Sequence, residues 1–214
     1  MSKRIFFSSL LIALLFLAAC GPSPEQEYQL GSAQLTESFD AADAWETFSA
    51  EGTDMRVTDG SYRLQTDDGG YVWGLNDQSH DDVVIEAEAT QYSSFANNAY
   101  GVMCRADVTN NGDGYYFLVS GDGYYSIRKG EGDGVPALVD WATSSAVNEG
   151  EAANTIRAVC IGDYLAMYVN DTFVADIRDG SYASGYAGLA GTAFDGGDID
   201  IAFDNLTVWS ASLP

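Results

Sequence analysis

The chain has 214 residues, of which 9 are lysine or arginine and 32 are aspartate or glutamate, giving a formal net charge of −23 at pH 7. A surface this negative repels nucleic acids and anionic lipid head groups, which excludes a nucleic-acid-binding function. Two explanations of the acidity stay open: a solvated surface suited to a salty exterior, or carboxylates gathered around divalent cations.

The first residues have the pattern of an export signal. Two basic residues precede an apolar run, residues 5–17, which is shorter than the ~20 residues that a membrane-spanning helix needs. The run ends in Leu17-Ala18-Ala19-Cys20-Gly21, which resembles a bacterial lipoprotein signal. The resemblance implies that residues 1–19 are removed and that Cys20 carries a lipid, which would anchor the exported chain to a bacterial membrane, facing the periplasm or the exterior. A plain secretory signal with a chance cysteine, or a short membrane anchor, is the alternative.

The next stretch predicts a tether followed by one domain. Residues 20–34 contain Pro22 and Pro24 and few apolar side chains, which indicates a flexible segment. Residues 35–214 suffice for a single domain with a sizeable core, and no linker or repeat divides them. Removal of residues 1–19 would leave 7 basic residues against 32 acidic ones, a net charge of −25.

Short β-branched and aromatic runs, separated by clusters of glycine, asparagine and aspartate, fill the chain after residue 34. No long window there shows helical periodicity. This pattern predicts an all-β fold, a two-sheet antiparallel β-sandwich. The predicted strands are residues 35–39, 55–58, 61–65, 71–75, 83–91, 99–106, 115–120, 124–129, 137–141, 155–161, 164–169, 172–176, 186–192 and 199–209.

Residues 154–176 predict two consecutive hairpins. Pairing about the Gly162-Asp163 turn places Ile161 opposite Tyr164, and a second turn at Asn170-Asp171 continues into a third strand. One face of the first hairpin is apolar, which predicts that it packs in the core: Ile156, Ala158, Cys160, Leu165, Met167 and Val169. The other face is mixed, and is either covered by another sheet's edge or lines a groove: Arg157, Val159, Ile161, Tyr164, Ala166 and Tyr168.

Cysteine usage fits an exported protein. With Cys20 taken by lipid, Cys104 and Cys160 remain as one pair in a compartment where disulfides persist. Cys160 lies on the core face of the hairpin, and alternation in the predicted strand 99–106 turns Cys104 and Ala106 to one face. We expect a disulfide between Cys104 and Cys160, and two buried free thiols are the alternative.

Several segments, in their order along the chain, are similar to a known fold family: Phe39 with Trp45, VTDGSYRL (57–64), YGVMCR (100–105), GYYFLVSGDGYYSIRK (114–129), the hairpin stretch 154–176, GYAGLAG (185–191) and FDNLTVW (203–209). Together they resemble the concanavalin A-like jelly roll over most of residues 35–209. Within it, they are most similar to the bacterial branch called 3-keto-disaccharide hydrolase, with its laminin-G-like and levan-binding relatives. The resemblance implies two curved antiparallel sheets, a concave face that binds glycans in many relatives, and first and last strands that lie side by side.

The sequence contains few signals for catalytic residues. Catalytic laminarinase-like members of this superfamily carry Glu-x-Asp-x-x-Glu on one concave strand, and this chain has no such triplet. The nearest approach is Glu86 and Glu88, which share a strand face and are either an acid and a base or the solvated face of a strand. The one histidine, His80, lies in an acid-rich stretch, residues 77–82, where it is either a general base or a solvated loop side chain.

No cofactor is required for the expected function, but the resemblance implies a possible structural Ca²⁺. Laminarinase-like relatives often hold it with backbone carbonyls of early strands and an aspartate of the last strand. The matching positions are Gly60, in the Asp-Gly turn, and Asp204. Asp204 accepting hydrogen bonds from backbone amides at a strand end is the alternative. Three nearby acids either join such a site or belong to the surface: Asp195, Asp198 and Asp200.

Glycan recognition needs flat aromatic faces for the C–H surfaces of sugars, with amides and carboxylates for the hydroxyls. Each aromatic candidate could instead belong to the core. The aromatic candidates are Trp73, Tyr115, Tyr125, Trp141 and Tyr168, and the polar candidates are Asn110, Asn111, Asp113 and Arg157.

These patterns favour a surface-anchored, lectin-like β-sandwich that binds a glycan or polysaccharide without catalysis. Two other functions stay open. One is a glycoside hydrolase of the 3-keto-disaccharide type, with Glu86 or Glu88 as its acid or base. The other is a structural or adhesion module of the cell envelope whose acidic face binds calcium or a partner protein.

Overall fold

The computed structural model describes residues 22–40, 44–67 and 69–214, so the predicted signal peptide and Cys20 lie outside the described residues. Within these ranges the chain forms strands and a single turn of 3₁₀-helix, Phe194–Gly196, and no helix there is long and apolar enough to cross a membrane. The strands are β1 (Gln29–Glu37), β2 (Phe48–Ala50), β3 (Thr53–Thr58), β4 (Ser61–Thr66), β5 (Val72–His80), β6 (Val83–Gln91), β7 (Asn98–Ala106), β8 (Gly114–Val119), β9 (Tyr124–Gly130), β10 (Ala137–Thr143), β11 (Ala153–Ile161), β12 (Tyr164–Val169), β13 (Thr172–Arg178), β14 (Gly185–Ala193) and β15 (Ile199–Ser212).

The strands form two antiparallel sheets, which confirms the predicted sandwich. One sheet has nine strands in the order β13-β12-β11-β6-β15-β4-β3-β2, with β1 also paired to β15, and the other has six in the order β10-β9-β8-β7-β14-β5. The 14-residue strand β15 pairs with β6 along one edge and with two strands along the other, where residues 199–203 pair with β4 and residues 206–212 pair with β1. The first and last strands therefore lie side by side.

The core lies between the sheets and follows from side-chain alternation. On β6, Val83, Ile85, Ala87 and Ala89 point into it, while Glu86 and Glu88 point away. Two-residue turns keep neighbouring strands in register, because both residues of Asn170-Asp171 adopt positive φ. Burial of one full face of each sheet supplies the main stabilising free energy.

The central hairpin has the predicted register. Ile161 pairs with Tyr164 and Cys160 with Leu165, and the predicted core face is fully buried. The opposite face is also covered: Val159, Ile161 and Tyr164 belong to a second buried cluster. This face is covered by residues just before β1 and just after β15, Tyr28 and Leu213, and not by the edge of another sheet.

The N-terminal segment is not the flexible tether that its composition predicted. Strand β1 begins at Gln29, so six residues of the expected tether, 29–34, are strand. Residues 25–28, which we call the N-terminal clasp, lie on the outer face of the nine-stranded sheet. The backbone N–H of Glu25 donates to Asp176 at 2.6 Å, its carboxylate is 3.1 Å from the Arg178 guanidinium, and the Tyr28 ring contacts Tyr168.

A disulfide joins Cys104 of β7 to Cys160 of β11 and links the two sheets, as predicted. The alternation on β7 is interrupted at the next residue, because Arg105 has a φ of 52°. Ala106 therefore packs in a cluster on the outer face of the six-stranded sheet, and the prediction that it shares the face of Cys104 was wrong.

Candidate functional site

The outer face of the six-stranded sheet is apolar, although it does not face the core. Its buried floor is made of Leu75, Ala99, Met103, Ala106, Tyr116, Leu118 and Ala190. Half-buried aromatic side chains stand around this floor: Tyr71, Trp73, Trp141, Tyr186 and Phe194. We call this surface the aromatic face. Flat rings around an apolar floor are typical of a ligand-binding surface.

A first pocket of about 480 Å³ opens where β5 meets the segment before β2. Its lining combines aromatic rings with a small polar group: Glu46, Thr47, Phe48, Met55, Tyr71, Val72, Trp73 and Asn110. Phe48 is 51% exposed, so its ring is free to contact a ligand. The volume is within the range of small-molecule sites.

A short hydrogen-bond chain fixes the polar side of the first pocket. The indole N–H of Trp73 donates to Asn110 Oδ1, and Asn110 Nδ2 donates to both carboxylate oxygens of Glu46, at 2.9 and 2.8 Å. The backbone N–H of Leu75 also donates to Glu46, at 3.1 Å. The Glu46 carboxylate and the Trp73 ring are therefore held in place before any ligand arrives.

The loop between β7 and β8 brings Asn110 to the pocket. Asp107 Oδ1 accepts a hydrogen bond from the Thr109 backbone N–H at 2.7 Å, and Asn110 adopts a φ of 55°. Gly112 packs against the indole, since a Cβ there would lie 2.8 Å from Cη2 of Trp73. The loop can close onto Trp73 only because position 112 has no side chain.

A second pocket of about 340 Å³ opens on the aromatic face at the turn between β8 and β9. It is lined by Asn97, Asn98, Ser120, Asp122, Tyr124, Trp141 and Phe194. Ser120 Oγ donates to Asp122 Oδ1 at 2.5 Å, and the buried Asn98 accepts the Gly121 backbone N–H at 2.9 Å. Tyr124 is 37% exposed at the rim.

The structure brings only some of the sequence-predicted glycan residues together. Trp73 and Asn110 meet in the first pocket, and Trp141 lines the second. Asp113 lines neither pocket and instead accepts a hydrogen bond from the Gly132 backbone N–H at 2.8 Å. Asn111 accepts one from the Asp113 backbone N–H at 3.0 Å, so both side chains shape the loop.

The remaining predicted residues lie elsewhere. Tyr125 packs against the core, and Tyr115 is fully buried, with its hydroxyl donating to Asp179 at 2.6 Å. Arg157 and Tyr168 lie on the outer face of the nine-stranded sheet, on the other side of the sandwich from the pockets. Alternation alone did not distinguish inner from outer faces for these rings.

The sequence-based candidates missed most of the residues that line the pockets, among them Glu46, Phe48, Asp122 and Tyr124. The turn Gly121-Asp122-Gly123 was recognisable as hairpin chemistry, and an aromatic side chain directly after it was the available signal for Tyr124. No local pattern marks Glu46, because its partner Asn110 is 64 residues away.

Glu86 and Glu88 line neither pocket and lie on the outer face of the nine-stranded sheet. Glu86 accepts a hydrogen bond from Arg157 Nε at 2.5 Å, and Glu88 accepts one from Asn205 Nδ2 at 3.1 Å. The carboxylates that do line the pockets, Glu46 and Asp122, belong to different pockets.

His80 is not a solvated loop residue, which corrects that alternative. Strand β5 extends to His80, which is 6% exposed. Its Nδ1 lies 2.7 Å from Oε1 of Gln34, and its Nε2 has no hydrogen-bond partner among the described residues. Burial lowers the pKa of the imidazole, partly offset by the nearby Asp81 carboxylate.

The described ranges contain no group of three or more His, Cys, Asp or Glu side chains that could hold a metal. Asp204 Oδ1 accepts the Asn205 backbone N–H at 2.6 Å, and Gly60 has positive φ in its turn. Asp200 is paired with Arg63, its Oδ2 lying 2.6 Å from Nη2 of that arginine. The side chain of Asp195 lies outside the described residues.

No protein-family model matches this sequence, and no curated protein matches it. Solved structures do match. A carbohydrate-binding module, CBM66, from Bacillus subtilis is 20% identical with a TM-score of 0.66, over 78% of this chain and 96% of the module. A Bacillus licheniformis β-glucanase is 9% identical with a TM-score of 0.60, over 85% of this chain and 99% of the glucanase. A Bacillus subtilis protein of unknown function with a galectin-like fold is 12% identical with a TM-score of 0.64, over 86% of this chain and 99% of that protein.

The fold is a concanavalin A-like jelly roll. At these identities the likeness establishes the architecture, and the assignment of a function depends on the pockets themselves.

Proposed function

We propose that this protein is a non-catalytic carbohydrate-binding module and that the first pocket is its glycan site. The observation that carries the proposal is the pairing, in one open pocket, of the exposed Phe48 ring and the Trp73 ring with the bonded Glu46–Asn110 group. Sugar rings pack their C–H faces on aromatic side chains, and their hydroxyls bond to carboxylates and amides. Both kinds of partner are present and positioned.

The distribution of carboxylates supports a binding function over hydrolysis. Glycoside hydrolases with two catalytic carboxylates hold them about 5–9.5 Å apart across the scissile bond. In the described ranges the first pocket has one lining carboxylate, Glu46, whose oxygens already accept hydrogen bonds from Asn110 and Leu75. Among the described residues, the floor of the aromatic face is made of apolar residues and Tyr116.

Binding is tested by affinity gel electrophoresis in gels containing mixed-linkage β-glucan, levan, arabinoxylan or kappa-carrageenan. We expect the migration of the wild-type protein to be retarded by at least one of the neutral polysaccharides. Phe48→Ala should weaken that retardation about tenfold or more, because it removes an exposed ring from the site. Tyr92→Ala is the matched control, since Tyr92 is 53% exposed but lies beside Arg63, away from both pockets. Equal loss in both variants, or no retardation of the wild type, would contradict the proposal.

Hydrolysis is measured with the same polysaccharides. We expect no release of reducing sugar by the wild type. Release that disappears in the Glu86→Gln, Glu88→Gln double variant would instead establish the glycoside hydrolase alternative.

We further propose that the protein is exported and held at a bacterial membrane through lipid on Cys20. The small-small-Cys sequence at residues 18–20 supports this, as does the Cys104–Cys160 disulfide, because disulfides persist in exported proteins. Expressed in a bacterial host, the wild type should fractionate with membranes and the Cys20→Ser variant should not. A wild-type protein that fractionates without the membrane and carries no acyl chain by mass spectrometry would contradict the anchor.

A further inference from the structure

A row of rings on the aromatic face connects the two pockets. Tyr71 lines the first pocket and Phe194 lines the second, and their ring centroids are 6.3 Å apart in an edge-to-face contact. Phe194 in turn contacts Trp141, at 6.2 Å. We call Tyr71, Phe194 and Trp141 the aromatic row. Since the row contributes a wall to each pocket, the pockets lie on either side of one shared ridge.

The aromatic row is held in place from below and from one side. The fully buried Tyr116 contacts Tyr71 at 5.7 Å, and its hydroxyl donates to the Gly112 carbonyl at 2.7 Å. On the other side, the guanidinium of Arg128 lies 5.8 Å from the centre of the Trp141 ring. A ligand that crosses the row therefore meets rings whose positions are already set, which lowers the entropic cost of binding.

The linings of the two pockets match in chemistry. Each contains a carboxylate, Glu46 in the first and Asp122 in the second, together with amide or hydroxyl groups and aromatic rings. Among the residues that the structure describes, no lysine, arginine or histidine lines either pocket. Arg128 lies on the same face, but its Nε donates to the Val135 carbonyl at 2.8 Å and its guanidinium lies over Trp141. An anionic sugar would meet two carboxylates in a chain of net charge −23.

We propose that the two pockets are halves of one extended site, which holds an uncharged glycan chain lying across the aromatic row with sugar units in both pockets. This rests on the proposed carbohydrate-binding function. Occupation of the second pocket by a chain already bound in the first is an intramolecular event, so affinity increases with chain length without any new kind of contact. A chain too short to cross the aromatic row would reach one pocket, and a longer chain would reach both.

The test is a length series, from disaccharide to octasaccharide, of mixed-linkage β-glucan, levan and kappa-carrageenan fragments, measured by isothermal titration calorimetry. We expect the wild type to bind the longest fragment of its preferred glycan at least about tenfold more tightly than the disaccharide. Phe48→Ala and Tyr124→Ala each remove an exposed ring, one from each pocket, and each should abolish the gain with length. Tyr92→Ala should retain the gain.

The outcomes separate this inference from the proposed function. If affinity does not change with length, or if Tyr124→Ala binds long fragments as the wild type does, the extended site is wrong while the first pocket remains a glycan site. Tighter binding of kappa-carrageenan fragments than of neutral ones would overturn the preference for an uncharged chain. If no fragment and no polysaccharide binds the wild type, the proposed function fails together with this inference.

Discussion

Arg105 is a charged side chain enclosed between the sheets. It is 2% exposed, and its guanidinium donates to carbonyl oxygens of Asp81, Gly162, Tyr182 and Cys160. It also forms an ion pair with the Asp82 carboxylate, at 3.0 Å. One buried cation thus holds the ends of several strands beside the disulfide.

We expect Arg105→Met to lower the free energy of unfolding by about 3–5 kcal/mol, because it leaves buried carbonyl groups without a donor. Urea denaturation followed by tryptophan fluorescence measures the loss. Arg56→Ala is the control: it pairs with Asp54 at the surface, where the two side chains are 47% and 28% exposed, and surface pairs contribute about 1 kcal/mol or less. Similar losses in the two variants would show that Arg105 has no special structural role.

We expect the free energy of unfolding to depend on pH through the buried His80. Its pKa is lowered by burial, so the unfolded chain takes up the proton first, near its ordinary value of about 6.5. Above about pH 6.5 the buried neutral imidazole therefore makes its full contribution to the free energy of unfolding. This contribution decreases as the pH falls towards the lower pKa of the folded state. Unfolding free energies of the wild type and His80→Gln, measured from pH 8 to pH 5, should converge on acidification. Parallel curves would contradict a buried neutral imidazole, since His80 is the chain's one histidine.

At the scale of strands, the disulfide links β7 of one sheet to β11 of the other across 56 residues of sequence. On the chain-entropy account, a cross-link of that separation stabilises the fold by about 4 kcal/mol. We expect dithiothreitol to lower the urea midpoint of the wild type accordingly, and to leave the Cys104→Ala, Cys160→Ala double variant unchanged. A midpoint that reduction does not shift would show that the sheets need no covalent link.

The strands that the sequence predicted best are those set by local patterns. The register of the hairpin between β11 and β12 follows from alternation and from the positive φ of Gly162. Strand β2 was not predicted because its three residues are all exposed and show no alternation. The end of β5 was taken for a loop because of its acids, yet it is a strand because Gly185 and Tyr186 pair with it.

The site was harder to predict than the fold, for a physical reason. The first pocket needs Glu46, Trp73 and Asn110 to meet, and these residues come from three separate parts of the chain. Residue type was enough to make Trp73 and Asn110 candidates for glycan binding, but only tertiary packing shows which face of a sheet a ring occupies. Tyr125 and Tyr168 were equally plausible by sequence, and they lie in the core and on the other sheet.

At the scale of the whole molecule, the main physical feature is the excess of negative charge. With 32 acidic and 9 basic residues, the folded state contains more repulsions than attractions among its charges. We expect sodium chloride to raise the melting temperature by roughly 2–4 °C for each kcal/mol of repulsion that it screens. Calcium chloride at matched ionic strength separates the two explanations of the acidity: an additional rise indicates bound cations, whereas an equal rise indicates screening alone. A melting temperature that does not respond to salt would contradict net repulsion.

If Cys20 carries the proposed lipid, the N-terminal clasp sets the orientation of the protein at the membrane. The chain enters the domain across the outer side of the nine-stranded sheet, while each pocket is lined in part by rings of the aromatic face, on the outer side of the other sheet. Cys20 precedes Glu25 by five residues, which span at most roughly 18 Å when extended. A lipid on Cys20 would therefore be a short anchor, which would restrict rotation of the domain relative to the membrane. Polymers on the far side of the protein from the bilayer would then meet the aromatic face first.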